Sequence, residues 1–244
     1  MKLKLSHCIG LCLIFLSVAG LSVSTFAEEV HKKLDDRVTS AKTVIDQIMA
    51  TPDKGIPDSI AHKAKCVAVV PSLVKGAFGV GGEYGQGVVT CRTPHGWSAP
   101  VFIRMAGGSF GFQIGGEGTD LVIVALNQKG VDDLLKDKFK IGGDASAAAG
   151  PVGRDAQAST DISMRAELLT WSRSRGAFAG IDLSGVSVSQ NSGDTEEFYG
   201  KEHTYNQILE GNVPAPEAAH PFLSTVAQYF GSASENRSGN PPSQ

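Results

Sequence analysis

The chain has 244 residues, and its 22 lysines and arginines against 25 aspartates and glutamates give a formal net charge of −3. That balance excludes the basic footprint of a nucleic-acid binder and any global electrostatic grip on an anionic surface, so such a grip has to come from a local patch. The length suffices for one sizeable hydrophobic core.

Residues 1–27 read as a secretory signal. Lys2 and Lys4 form a positive start, Cys8 to Val23 an apolar core, and Thr25-Phe26-Ala27 a small-x-small cleavage site before Glu28. The competing reading is an uncleaved anchor, for which the apolar run is near the lower length limit. Cys12 lies too early for lipoprotein processing. The expectation is an exported protein, periplasmic or outer-envelope associated, or secreted. Cleavage removes two basic residues and no acids, which leaves 20 against 25. Cys66 and Cys91 then remain, and an export compartment permits them either to pair or to stay as two small buried thiols.

Val30, Leu34, Val38, Ala41, Ile45 and Ile48 recur at helical spacing, predicting an amphipathic helix over 28–50 with Lys32, Lys33, Asp36, Arg37 and Lys42 on the opposite face; the stripe either caps the open face of a sheet or lies in a membrane interface. Thr51-Pro52 ends the helix, and Pro57 opens a second short helix to Ala64. The period then changes. Val67 to Val70 is a buried-strand run stopped by Pro71. In the next strand Val80, Tyr84 and Val88 share one face, and Gly81, Gly85 and Gly87 share the other with Glu83. A glycine-lined face admits another backbone or a sharp coil of the sheet.

Val101, Ile103 and Met105 are odd-numbered, whereas Phe110, Phe112 and Ile114 are even-numbered, which predicts a bulge at Gly107-Gly108. A similar slip falls at Gly185, between Ile181/Leu183 and Val186/Val188. Leu121 to Leu126 reads as a buried strand, Val131 to Leu135 as a short helix, and 142–160 as a loop followed by a strand. Arg165 to Trp171 reads as another strand, 196–211 as one or two helices, and Pro221 to Phe230 as a helix. Residues 231–244 have the composition of a disordered tail. The fold class is therefore α+β: a single domain over 28–230 with a strongly curved, mostly antiparallel, barrel-like sheet flanked by N- and C-terminal helices.

Catalytic and metal motifs weigh little. Gly107-Gly108-Ser109-Phe110-Gly111 matches a nucleophile elbow in letters, but an alternating strand pattern follows where a helix is needed. The glycine runs at 76–87 and 111–118 lack the G-K-[S/T] ending of a phosphate loop. None of the six histidines stands in a convincing ligand set; His203 among Glu196, Glu197 and Glu202 reads as a solvated face. No enzyme, metal or cofactor is expected. Lys75, Arg154, Arg173 and Arg175 border the glycine-rich segments. They read either as solvated or ion-paired, with Asp155 and Asp182 as partners, or as an anion clamp, for which the planar guanidinium fork is suited.

Several glycine-bearing segments carry a resemblance. They are Cys66-Val67-Ala68-Val69-Val70-Pro71, Lys75-Gly76-Ala77-Phe78, Gly81-Gly82, Gly85-Gln86-Gly87 and Phe110-Gly111-Phe112-Gln113-Ile114-Gly115. They continue through Gly150-Pro151-Val152-Gly153-Arg154, Trp171-Ser172-Arg173-Ser174 and Gly176-Ala177-Phe178-Ala179-Gly180 to Phe198-Tyr199-Gly200. In this order the set resembles the SYLF lipid-binding family over residues 40–230. The resemblance implies a non-enzymatic protein whose N-terminal amphipathic segment, here 28–50, meets a membrane. Eukaryotic members bind phosphoinositides and some bind actin. The export signal argues against actin and phosphoinositides here, and no SH3 or FYVE-like module is recognisable in these residues.

The reading is thus a phospholipid-binding protein of a bacterial-type envelope. Apolar contacts would come from the 28–50 helix and headgroup contacts from Lys32, Lys33, Arg37, Lys42, Lys75, Arg154 and Arg173. The alternative is an envelope structural or protein-interaction module without a lipid ligand.

Overall fold

A computed structural model of the chain describes residues 29–51, 55–111, 117–152, 166–174, 177–178 and 183–231. Arg154, Arg175, the segments 1–28 and 153–165, and the tail from 232 lie outside them, as do the signal and tail readings.

One strand organises the molecule. β1 runs from Cys66 to Thr93, 28 residues, which would span about 90 Å if straight at ~3.3 Å per residue. Its ends instead meet. Cys66 and Cys91, 25 apart in sequence, are joined by a disulfide with Cα atoms 4.0 Å apart. The Arg92 amide donates to the Lys65 carbonyl at 2.6 Å. β1 is therefore bent back over itself. Its C-terminal arm pairs antiparallel with β3 (Val101–Gly111), from Gly79 opposite Gly111 to Val89 opposite Val101. Its N-terminal arm pairs antiparallel with β4 (Glu117–Ala125), from Cys66 opposite Ala125 to Lys75 opposite Glu117.

What permits the fold-back is the glycine face of the C-terminal arm. A Cβ on Gly85 would sit 2.7 Å from Val70 Cγ1, and one on Gly87 only 2.1 Å from the Val69 carbonyl oxygen. Only a residue without a side chain lets the two arms approach so closely.

The sheet is nine-stranded and strongly curled. β2 (Gly96–Trp97) forms a hairpin with the end of β1. Beyond β3 lie β9 (Ser187–Gln190) and then β5 (Lys138–Lys140). Beyond β4 lies β7 (Leu168–Ser174), flanked by β6 (Ala147–Ala149) and β8 (Ala177–Phe178). All pairings are antiparallel except β6 with β7.

The phase slip falls elsewhere than the sequence pattern indicates. The β3 register with β1 is unbroken across Gly107-Gly108, and the β9 ladder on the other side ends just before it, at Ala106 opposite Ser187. The shift is in β1 between Val70 and Leu73. Ala68 and Val70, even-numbered, share a core with odd-numbered Leu73, because β1 advances three residues from Val70 to Leu73 while β4 advances two from Leu121 to Thr119; the one extra residue switches the face, and Ser72 adopts a φ of 54°. Pro71 therefore interrupts the ladder without ending the strand; it sits at the bulge, where its missing N–H costs no pairing. Gly185, the other expected slip, lies in a turn with φ 86°. Ser109 is inside β3, opposite Gly81, so no strand-to-helix elbow exists there.

Each sheet face carries its own core. On the concave side Val70, Leu73, Ile103, Met105, Leu121 and Ile123 pack with Phe139, Tyr205 and Ile208. On the convex side Val67, Val69, Phe102, Val122, Val124 and Trp171 are covered by helices. α1 (residues 29–49) contributes Leu34, Val38, Ala41, Val44, Ile45 and Ile48, each at most 3% exposed. α2 (Asp58–Ala61) and α6 (His220–Phe230) complete that layer.

α3 (Gln128–Leu135) is capped by the Asn127 side chain, which accepts from the Gly130 amide. The 196–211 region resolves into α4 (Ser192–Tyr199) and α5 (Tyr205–Leu209), the second with a Thr204/Gln207 capping box. Arg92 satisfies the end of α6, donating to the Phe230 and Gly231 carbonyls at 2.5 and 3.1 Å, and stacks over Trp97 at 4.6 Å. No helix among the described residues is long and apolar enough to cross a membrane.

Candidate functional site

Three large hydrophobic side chains are exposed among the described residues: Val30 at 38%, Val74 at 46% and Tyr84 at 49%. Two of them, Val74 and Tyr84, from the two arms of β1, meet in one groove of about 330 Å³, lined together with Lys33, Asp36 and Arg37 of α1. Val30 is one helical turn before Lys33 on the same side of α1. Ser40, Pro71, Ser72, Gly85 and Gln86 form the rest of the wall. The β1 bulge shapes it: the Ser72 amide donates to Asp120 Oδ1 at 3.1 Å, which holds the turned-out backbone.

The predicted cations have different surroundings. Lys32 is exposed on α1. Lys33 lines the groove and pairs with Glu29 at 2.8 Å, both ends solvent-exposed. That amine holds the Glu29 carboxyl below its ordinary range by hydrogen bonding and charge. Arg37 is largely committed to structure. It meets Asp194 at 2.5 Å, donates to Gln86 Oε1 at 2.8 Å and lies 5.4 Å over the Phe102 ring, tying α1 to α4 and β1. Lys42 pairs with Asp46 at 2.7 Å. Lys75 pairs at 2.9 Å with Glu83, which is buried. Arg173 meets Asp120 at 3.2 Å and also donates to Gln47. Lys33 and Arg37 are thus brought to one groove, while Lys42 and Arg173 are engaged along the C-terminal half of α1.

The apolar stripe of α1 packs on the sheet, the first of the two readings of this helix, and this corrects the expectation that the helix supplies apolar contacts to a lipid. Its leucine, valines and isoleucines complete the convex core. The periodicity was right; a stripe of that width fits a sheet as well as a membrane. The sequence pattern missed Val74 and Tyr84. Tyr84 shares its strand face with Val88, but Val88 is buried with α1 whereas Tyr84 is not.

A second, larger cleft of about 850 Å³ lies where the ends of β1 meet, against the Cys66–Cys91 bridge. Half-buried Leu126, Val131 and Leu135 give it an apolar wall, and Lys63, Lys65 and Arg92 stand along it. Near the concave core, Tyr205 donates to the Phe102 carbonyl and accepts from the Asn191 amide at 2.6 Å. Burial above all pushes its phenol up to about 12. Among the described residues no group of three or more histidine, cysteine, aspartate or glutamate side chains could hold a metal.

These features define an α+β protein built on a curled nine-stranded sheet around one folded-over strand, with an amphipathic groove near the β1 bulge and a basic-walled cleft where the ends of β1 meet. The chain belongs to the SYLF, or Ysc84, family: the family model described as Ysc84, Las17-binding protein actin regulator, matches residues 106–229. It is 38% identical over 180 residues to SH3 domain-containing YSC84-like protein 1 of Rattus norvegicus, covering 73% of this chain and 53% of the rat protein. The Homo sapiens protein of that name is 36% identical over 180 residues, with 52% of its length covered. Protein YSC84 of Saccharomyces cerevisiae is 34% identical over 175 residues, 70% of this chain and 37% of the yeast protein. The chain spans about half the length of the animal relatives and less of the yeast one. The description of the family model is one of binding and regulation rather than catalysis.

Proposed function

We propose that this chain is a non-enzymatic binding protein of the cell envelope that docks on a phospholipid surface through the Val74/Tyr84 groove. One observation carries the reading: Val74 and Tyr84, two of the exposed large hydrophobics of the described residues, line one groove with Lys33 and Arg37. An apolar contact rimmed by cations suits the interface of an anionic leaflet, where burying each such side chain is worth about 1.5–3 kcal/mol at most and each cation about 1 kcal/mol. Asp36 in the same groove offsets part of the charge, so binding is weak and salt-sensitive.

The test is co-sedimentation with vesicles of phosphatidylcholine alone or mixed with phosphatidylglycerol, at low and moderate salt. The variants are Tyr84→Ser with Val74→Ser, and Lys33→Glu. Binding to anionic vesicles that falls several-fold in both supports the reading. Binding unchanged in the Tyr84/Val74 variant removes the groove from it. Absence of binding in every mixture turns the groove toward a protein segment, the reading favoured by relatives whose names include "LAS seventeen-binding protein 3".

A further inference from the structure

The cleft where the ends of β1 meet has a composition the groove does not explain. On a chain of net charge −3, its rim is locally basic. Lys63 and Lys65 are exposed, Arg92 is half-buried, His62 is beside them, and Glu210 is the carboxylate among the lining residues. Its wall is aliphatic: Leu126 follows β4, Val131 and Leu135 belong to α3, and Leu209 closes α5. A volume of about 850 Å³ is in the range that holds a small molecule, and an apolar lining with a few charges at the mouth is the usual make-up of such sites.

We infer that this cleft binds a single-chain amphipathic anion, a hydrocarbon tail with a carboxylate or phosphate head. The tail lies against Leu126, Val131 and Leu135. The head meets Lys63 and Lys65. Arg92 contributes mainly as fixed positive charge, since its guanidinium already serves the Ala64, Phe230 and Gly231 carbonyls. Lys65 reaches Gln128 Oε1 at only 3.4 Å, a weak contact that an anion displaces readily. The disulfide fixes the floor, because it pins together the two strand ends from which Lys63, Lys65 and Arg92 project.

The experiment is calorimetric titration of the full chain with decanoate and with decyl phosphate, below their micellisation concentrations, with decanol as the uncharged control. Saturable binding of either anion is expected, at least about ten-fold tighter than decanol, with the two anions deciding which head is preferred. Lys63→Gln with Lys65→Gln should weaken it about ten-fold, and Val131→Trp, which fills the cleft, should abolish it. Both variants must keep the wild-type melting profile. Tyr84→Ser with Val74→Ser should leave it unchanged, which separates this site from the vesicle-binding groove. The inference is overturned if neither anion binds saturably, if decanol binds equally well, or if the folded lysine and tryptophan variants bind as wild type.

Discussion

The close approach of the two β1 arms makes a sharp prediction for two glycines in adjacent strands. Replacing Gly87 by alanine puts a methyl 2.1 Å from the Val69 carbonyl oxygen, 2.7 Å from Val70 Cγ2 and 2.9 Å from the Val69 carbonyl carbon. Two of these are backbone atoms, so no rotamer relieves the clash; the arms must part by about 1 Å, which forfeits a quarter to a half of the dispersion well along the contact. Overpacking of this kind costs about 1–3 kcal/mol, partly offset by about 0.4–1 kcal/mol from a less flexible unfolded chain. The net expectation is a loss of about 1.3 kcal/mol. Gly108→Ala is the control: a Cβ there meets nothing within 4 Å, so only the unfolded-state gain remains, about 0.5 kcal/mol of stabilisation. Urea unfolding followed by far-UV circular dichroism should separate the two midpoints by about 1 M for a chain of this size. Midpoints within experimental scatter of each other would refute the fold-back of β1.

Two further predictions concern what holds β1 closed on itself and what ties the flank of the sheet. Reducing the Cys66–Cys91 bridge, or replacing both cysteines by alanine, frees a loop of 25 residues and should cost about 3 kcal/mol; an unchanged urea midpoint under reductant would contradict the strand-end pairing. Glu167 is desolvated, which raises its carboxyl, but hydrogen bonds from Lys129 and the Ser146 amide outweigh that and hold it below its ordinary range. A carboxylate depressed in the folded state stabilises above its unfolded value, about 4.3, and loses that contribution as pH falls through the folded value. Glu167→Gln should therefore cost roughly 0.5–1 kcal/mol near pH 6 and nothing well below pH 4; a difference independent of pH would show that the carboxylate charge is irrelevant there.

Much of the fold was legible because two periodicities are strong. The α1 stripe has helical spacing over five turns, and Val67–Val70, Val101–Met105 and Leu121–Leu126 read as strands, which the ladders contain except for Leu126, just past the end of β4. The glycine face of Gly85 and Gly87 announced a close approach, though not that the approaching backbone belongs to the same strand. The position of the bulge was not legible, because odd-to-even slips occur wherever a strand passes from one core to the other. Gly107-Gly108 offered a more flexible pair than Pro71-Ser72, yet the ladder breaks at the proline, which has no N–H to lose. The groove was half legible. Lys33 and Arg37 were on the polar face of α1, but the exposure of Val74 and Tyr84 depends on where the helical cover stops, a tertiary fact absent from strand periodicity. The cleft was illegible for the same reason: its lining comes from β1, α3, α5 and the turns around them, which are brought together only when β1 closes on itself.

The burial of the α1 stripe decides how membrane attachment has to be tested. Peeling the helix off the sheet would expose Leu34, Val38, Ala41, Val44, Ile45 and Ile48 along with the convex face beneath them, a cost on the order of 10 kcal/mol at about 1.5–3 kcal/mol for each large aliphatic side chain. It would also break the Arg37–Asp194 pair. The helix has neither tryptophan nor phenylalanine to anchor it in an interface, and Asp35, Asp36 and Asp46 repel anionic headgroups. A bilayer would bury the stripe again but leave the convex face and the Arg37–Asp194 pair uncompensated, so α1 stays docked and any membrane attachment has to use what the docked protein already exposes. Deleting residues 28–50 therefore strips the convex core, and loss of binding in such a truncation reports unfolding rather than a lost membrane contact. Substitutions at Val74 and Tyr84 leave both cores intact, and they are the changes whose effect on vesicle binding discriminates between the readings.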